Sequence, residues 1–188
     1  MVSATCSVTK TASLNFVTIK SILCNIMFPN FKLGPEALKY FESAYEFQMQ
    51  GELDKAVFYY KKSLEIEQTA EGYTFLGWTY SFMGKLEAAI TECHKAIAAD
   101  PDFGNPYNDI GVYYLQMGKL DTAIPWLEKA KKARRYENPE FAYCNLGKIY
   151  ELKGLWPRAM EEYKKALAIQ KDYLPAQVGL ARLETYLN

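Results

Sequence analysis

Residues 36–188 show apolar and polar positions arranged as successive helices joined by short turns. The predicted helix pairs are 36–49 with 53–67, 70–83 with 86–99, 104–117 with 120–134, and 140–153 with 156–170, followed by a last helix at 174–187. Pro125 lies inside one predicted helix and removes a hydrogen bond there, which predicts a kink or a later helix start. The join from Arg134 to Pro139 is two residues longer than standard, since the last glycine step is 36 residues against a period close to 34.

One set of residues returns four times at the same spacing. A small residue is followed three positions later by an aromatic residue, four further on by glycine and five further on by alanine. The sets are Ala44-Phe47-Gly51-Ala56, Gly77-Tyr80-Gly84-Ala89, Gly111-Tyr114-Gly118-Ala123 and Gly147-Tyr150-Gly154-Ala159. The glycines recur every 33 to 36 residues, and a fixed period of this size predicts a stacked array of helical units.

Each residue of the set has a physical role in a helix pair. The later glycine marks the turn between two helices, where a left-handed backbone costs glycine little. The small residue before it and the alanine after it face each other, because only short side chains let two helices approach closely. A second small residue closes each unit, at Ser63, Ala96, Ala130 and Ala166.

The second unit carries the fullest version of the pattern, in Tyr73, Leu76, Gly77, Tyr80, Gly84, Ala89, Ala96 and Pro101. This pattern resembles the tetratricopeptide repeat, a helix–turn–helix unit of about 34 residues. The resemblance implies an all-α fold: a right-handed α-solenoid of about four such repeats and a C-terminal capping helix. The repeats are expected at 37–69, 70–103, 104–139 and 140–173 of a domain that covers 36–188, with the cap at 174–187. The cap is expected to turn a polar face to water.

Residues 1–35 differ in composition from the rest of the chain, since they hold three lysines and no acidic residue. We interpret them as an N-terminal extension that is either poorly ordered or docked on the repeats. A cleaved leader and a start site upstream of the true one are alternatives. The longest apolar stretch, 14–28, contains Lys20 and is too short to span a membrane.

Charge and cysteine usage narrow the class of protein. The 22 basic and 22 acidic residues balance, and the part after residue 35 has 19 basic against 22 acidic residues, a charge of −3. This argues against a general nucleic-acid-binding protein. No two of the four cysteines have metal-ligand spacing, and Cys93 occupies a core position, so a reduced, cytoplasmic environment is expected.

The sequence offers little catalytic chemistry. The single histidine, His94, has no partner pattern for acid–base or nucleophilic work, and no glycine-rich phosphate loop is present. We therefore expect no enzyme activity, catalytic residue, cofactor or metal ion. The acidic positions Glu92, Glu161 and Glu162 are expected on solvated helix surface. The basic residues between 129 and 135 are interpreted as a helix C-terminus whose cations complement the macrodipole.

The resemblance also implies that the first helix of each unit lines a concave groove. The family's clamp for chaperone carboxylate tails uses lysine and asparagine there, but this chain has Phe41, Tyr45, Phe75 and Asp109 at clamp positions, so clamp activity is rejected. The predicted groove residues are Phe41, Tyr45, Met49, Trp78, Phe82, Asn105, Asn108, Val112 and Asn145. The aromatic and apolar members would form an exposed patch, and the amides could bind a peptide backbone.

These observations predict a protein-binding adaptor or scaffold that takes an apolar or amphipathic protein segment in its groove. Two alternatives remain open for the patch: residues 14–33 of the same chain could cover it, or its side chains could be ordinary inter-helix packing. A different function class is a self-assembling module of a larger complex. Weak self-association would indicate this second class, since an adaptor is expected to stay monomeric without its partner. No nucleic-acid or membrane-spanning partner is expected.

Overall fold

The computed structural model describes residues 32–187, and the residues from Gly34 onward belong to one compact unit. Expectations about residues 1–31, including their docking on the groove, fall outside this range. Within it the helices, numbered in chain order, are α1 Pro35–Met49, α2 Leu53–Ile66, α3 Ala70–Phe82, α4 Leu86–Ala99, α5 Asn105–Gln116, α6 Leu120–Ala130, α7 Glu140–Leu152, α8 Trp156–Ile169 and α9 Leu174–Leu187. These helices confirm the all-α repeat fold.

Helix α6 differs from its prediction. It ends at Ala130 instead of 134, because residues after it turn, with the Ala133 N–H donating to Ala130 O at 3.2 Å. Pro125 lies inside the helix on its exposed side, and α6 begins two residues after Gly118, as the other second helices do after their glycines. The later start predicted from Pro125 is therefore wrong.

The turns inside the four pairs share one backbone geometry. Gly51, Gly84, Gly118 and Gly154 all have left-handed φ angles, between 70° and 77°. At the second turn the Gly84 N–H donates to Ser81 O at 2.9 Å, and the next N–H, of Lys85, donates to Tyr80 O at 2.9 Å. These bonds satisfy carbonyls at the end of α3, and the left-handed residue confirms why the sequence needs glycine there.

Close approach of the two helices in each pair depends on small residues. A Cβ placed on Gly77 would lie 3.3 Å from the Ala89 carbonyl oxygen, and one placed on Gly111 would lie 2.6 Å from Leu127 Cδ2. The facing alanines have no exposed surface: Ala56, Ala89, Ala123 and Ala159. The predicted helix–helix contacts are confirmed at these positions.

Neighbouring units share continuous apolar clusters. Cys93 of α4 has no exposed surface and packs with Ile90 of α4 and Ile110 and Tyr113 of α5, which confirms it as a core residue. In the next cluster Leu127 of α6 packs against residues of α7. Each second helix thus buries its apolar face on both its own first helix and the first helix that follows.

Arg135 fixes the long join between α6 and α7. Its guanidinium donates to Glu71 Oε1 and to Asp100 Oδ2, both at 2.6 Å, and lies 4.1 Å from the centre of the Phe103 ring. Its backbone N–H donates to Asp102 O at 2.9 Å, and its carbonyl accepts from the Gly104 N–H at 2.9 Å. One residue therefore ties the start of α3 and the α4–α5 join to the α6–α7 join.

Two glutamates lie deeper than the sequence predicts. Glu92 and Glu162 are both buried, not solvated. Lys95 reaches Glu92 at 2.9 Å, and Glu162 is bridged by Lys131 at 3.1 Å and Lys165 at 3.0 Å. Glu162 faces the preceding unit, where Lys131 compensates part of the cost of burying its carboxylate, whereas Glu92 pairs with Lys95 of its own helix.

The capping helix α9 is less polar than expected. Leu183 is fully buried and covers the end of the fourth unit, but Ala181 is exposed. Leu174, Val178 and Tyr186 also expose large apolar side chains on this last helix. The end of the described array therefore carries apolar surface next to Arg182 and Glu184.

We predict that Gly111→Leu destabilises the protein. The new side chain must enter space held by Leu127, which is fully buried, and overpacking of this kind costs about 1–3 kcal/mol or more. Urea denaturation measures the effect. The control is Gln116→Leu, which adds the same side chain at an exposed position of the same helix. Equal midpoints for the two variants would contradict the proposed contact.

We predict that Arg135→Ala lowers the free energy of unfolding by on the order of 2–3 kcal/mol, because it leaves the buried Glu71 without its cation. The neighbouring variant Arg134→Ala removes a side chain that is 86% exposed and should change stability by less than about 0.5 kcal/mol. Chemical denaturation of both proteins at low and high salt tests this. A similar effect for both arginines would refute the role of Arg135.

Candidate protein-binding surface

The first helices of the four units, α1, α3, α5 and α7, form one continuous surface. The successive pairs α3–α5 and α5–α7 are in direct contact, while each second helix lies against its own first helix. We call this surface the first-helix groove. Residues at the same register of each unit form rows across it, because the repeated glycine–alanine contact positions each first helix in the same way.

The predicted aromatic patch is only partly on the surface. Phe41 is 1% exposed, and its ring packs edge-on against Phe75 and Tyr60 at centroid distances of 5.0 and 5.3 Å. Its expected exposure is therefore wrong, since the second unit covers it. Tyr45 and Trp78 are half-buried around the same Phe75 ring, at 6.0 and 4.7 Å.

A row of exposed apolar side chains does follow one side of the groove. Met49 and Phe82 are 69% and 64% exposed and stand at the ends of α1 and α3. Leu152 of α7 and Tyr186 of α9 occupy the same register and are 60% and 64% exposed. We call Met49, Phe82, Leu152 and Tyr186 the apolar edge; Gln116 interrupts it at the end of α5.

The sequence analysis placed Leu152 on the concave face but did not select it as a binding residue, and it missed Tyr186. The signal was available, because each lies five residues after the small residue of its helix, as Met49 follows Ala44 and Phe82 follows Gly77. The predicted patch was limited to the N-terminal half because aromatic residues are denser there, whereas the exposed row continues to α7 and α9.

Polar side chains connect successive first helices along the floor of the groove. The Thr79 hydroxyl donates to Gln48 Oε1 at 2.8 Å, joining α3 to α1. The Arg182 Nε–H donates to Glu151 Oε1 at 2.6 Å, joining α9 to α7, and this arginine lowers the pKa of the Glu151 carboxyl. These contacts link the first helices through polar groups, whereas the apolar edge exposes large apolar side chains beside them.

The predicted amides form part of the same floor. Asn145 of α7 donates its Nδ2–H to Asn108 Oδ1 at 3.0 Å, and Asn108 is buried. Their hydrogen bonds are thus partly used within the protein. Asn105 and Val112 are half-buried on α5, one before and one after Asn108 in the helix. Backbone recognition by Asn105, Asn108 and Asn145 remains a prediction.

Asp109 has the most perturbed carboxyl of the groove. Its Oδ2 accepts the Trp78 Nε1–H at 2.6 Å, and its Oδ1 accepts a longer bond from Asn108 Nδ2 at 3.5 Å. Burial raises the pKa of Asp109 to about 7, and the bonds from Trp78 and Asn108 only partly offset this effect. The carboxyl therefore changes charge close to neutral pH.

The basic run after α6 is largely engaged. Lys131 binds Glu128 and Glu162, both at 3.1 Å, and Arg135 binds Glu71 and Asp100. The Lys129 ammonium lies 4.4 Å from the centre of the Trp126 ring. Ion pairs to other units therefore engage Lys131 and Arg135, in addition to any effect of the helix dipole.

We predict that Asp109→Asn stabilises the protein above neutral pH. The folded state keeps the proton of Asp109 to a higher pH than the unfolded state does. The stability that comes from this protonated carboxyl is therefore lost as pH rises from about 4 through 7. Asparagine does not ionise, so the free energy of unfolding of the variant should exceed that of the wild type by at most roughly 4 kcal/mol at pH 8. Denaturation at pH 4.5 and 8 measures it, with the exposed Asp54→Asn as control. A pH-independent difference would count against the burial argument.

Within residues 32–187 no helix combines the length and apolar character that a membrane crossing requires. The family's sequence profiles, described as tetratricopeptide repeat, match residues 40–69, 70–103 and 102–172. These three segments cover most of the described residues and coincide with the helix pairs.

Known proteins show the same repeat. Superkiller complex protein 3 of Homo sapiens is 29% identical over 106 residues, which is 55% of this chain but only 6% of that protein. TPR repeat-containing protein YpiA of Bacillus subtilis is 31% identical over 174 residues, 85% of this chain and 38% of that protein. The chain thus covers less than two fifths of the length of either relative.

A solved structure extends the likeness to the fold. A thermophilic TPR protein from Thermus thermophilus superposes with a TM-score of 0.69 at 19% identity, covering 90% of this chain and 89% of the other. Repeats of this kind generally serve as protein-interaction or scaffold modules and are typically not catalytic. The sequence profiles, the repeated helix pairs and this structural likeness together show that the chain belongs to the tetratricopeptide repeat family.

Proposed function

We propose that this chain is a non-enzymatic adaptor or scaffold that binds an amphipathic protein segment in the first-helix groove. The observation that carries the proposal is the apolar edge, in which Met49, Phe82, Leu152 and Tyr186 are each at least 60% exposed in one register. A row of large apolar side chains held in water favours an apolar partner surface. Ordinary packing does not account for this row, because these side chains remain outside the core.

The groove suits a segment with two faces. The apolar face of the segment would lie along the apolar edge, where burial contributes about 25 cal/mol per Å² of apolar surface. Its polar face would lie over the floor, where Gln48, Asn105 and Asn145 present amide groups. Gln116, in the middle of the edge, would bind a polar position of the segment. An amphipathic helix or an extended segment has this alternation.

The wider properties of the chain support a protein partner. One relative is named as a member of the Superkiller complex, which is consistent with a role for such repeats in assemblies. The described cysteines Cys93 and Cys144 are buried free thiols, which supports a reducing compartment such as the cytoplasm. The paired cations around Lys131 and Arg135 leave little basic surface there for nucleic acid.

A second candidate function is end-to-end self-association through α9. Leu174 and Val178 are exposed, whereas residues at the register of Val178 in earlier units, Thr74, Asn108 and Cys144, are buried by the following unit. A second copy could cover this face. Sedimentation velocity over a concentration series tests it, with Val178→Asp as the variant expected to keep a self-associating protein monomeric.

We predict that Phe82→Ala weakens binding of the partner segment by at least about tenfold, since an apolar anchor truncated to alanine typically costs about 1.4 kcal/mol or more. Phe58→Ala is the matched control, because Phe58 is similarly exposed, at 55%, but stands on the second helix α2. Partners captured with the full chain are purified and titrated against both variants, with circular dichroism as the folding control.

Trp78→Ala should also weaken binding at least about tenfold, but it removes the donor to Asp109 and can lower stability as well. Phe82→Ala therefore gives the cleaner result. A partner that binds Phe82→Ala and Trp78→Ala as tightly as the wild type would exclude the groove. If only Phe58→Ala lost binding, recognition would lie on the second helices.

A further inference from the structure

Asp109 stands where three first helices meet, and its charge has no counter-ion among the described residues. It accepts hydrogen bonds from Trp78 of α3 and from Asn108 of α5, which in turn binds Asn145 of α7. In the part of the chain that the structure describes, no lysine or arginine comes within 4.0 Å of its carboxylate, whereas Glu71 and Glu151 on the neighbouring first helices each bind an arginine. This half-buried carboxyl therefore lacks the cation that the other two have.

We propose that Asp109 receives a lysine or arginine side chain of the bound protein segment, so that the groove selects one basic residue on the polar face of that segment. This inference rests on the proposed groove function. A partner cation would supply the counter-charge that the fold omits, and charge complementarity of this kind fixes register and excludes acidic partners. Trp78 lies beside the carboxyl, and its ring offers a surface for the apolar stem of the basic side chain.

Among the groups around Asp109, only its own carboxyl is expected to change charge near neutral pH. Asp109 acts electrostatically on Cys93 of α4, on Tyr113 of α5 and on Tyr136 of the join before α7. Burial raises the pKa of all three groups above their ordinary values, so they stay neutral between pH 6 and 8. Trp78, Asn108 and Asn145 carry no charge, and α6 packs on another face of α5, at Gly111.

A cation should therefore bind more tightly as Asp109 ionises. With a pKa of about 7 in the free protein, the ionised fraction rises roughly tenfold between pH 6 and pH 8. Since binding a cation requires the ionised form, the affinity for a segment with a basic residue should rise by about the same factor. A segment with a neutral residue at that place should show no such rise.

The first test is selection of random dodecapeptides displayed on phage against the full chain at pH 8, in parallel with Asp109→Asn and the exposed control Asp54→Asn. The wild type and Asp54→Asn should select peptides with lysine or arginine at one fixed position among apolar residues. Asp109→Asn should lose the basic preference. Synthetic peptides from the wild-type pool should bind about tenfold more weakly at pH 6, or to Asp109→Asn.

The outcomes separate the inference from the groove function. Peptides that need Phe82 but show no basic preference, or keep it with Asp109→Asn, would overturn the inference and leave the groove function intact. If no peptide depended on Phe82, the groove function would fail, and hexylammonium would then be titrated while the Trp78 indole N–H is followed by NMR. A saturable shift absent with 1-hexanol and with Asp109→Asn supports the carboxylate site; no saturable shift refutes it.

Discussion

The close contact between a small residue on each first helix and the second helix of its pair is the constraint on which this structure depends. Gly77 approaches the backbone of α4 at Ala89, and Gly111 lies against Leu127 of α6. A larger residue at either glycine would push the helices apart and change the angle at which the next unit stacks. Because the contact recurs once per unit, the helix pairs repeat with one geometry.

Because the helix pairs share one geometry, residues at equivalent positions of successive units lie next to one another on the surface. Three contacts between successive first helices each join residues 31 apart in the chain: Thr79 with Gln48, Trp78 with Asp109 and Arg182 with Glu151. The same regularity places Met49, Phe82, Leu152 and Tyr186 at equivalent helix ends. The polar floor and the apolar edge are thus consequences of stacking, and the repeated core determines where a partner could find both.

Charge is distributed to suit this stacking. The buried Glu71 and Glu162 are compensated by Arg135 and Lys131, which come from other units and so link units together. Asp109 differs from these glutamates. The neutral Trp78 and Asn108 donate hydrogen bonds to its carboxylate, and no cation among the described residues pairs with it. A carboxylate that is only partly compensated costs stability but is ready for an external cation, a compromise expected at binding sites and not in cores.

The sequence by itself determined the repeat, its turns and its tight contacts, because glycine at a left-handed turn and small residues at a helix crossing are local steric requirements. It also identified Cys93 as core and the register of the groove. Tertiary structure decided how far each position is covered. Phe41 and Trp78 belong to one register surface, yet the neighbouring unit buries the first and leaves the second half-exposed. Likewise the sequence predicts Glu162 as a solvated residue, but it is buried and pairs with Lys131 of the preceding unit. Periodicity defines which face a residue occupies, but its burial and its ion pairs depend on side chains from units more than thirty residues away.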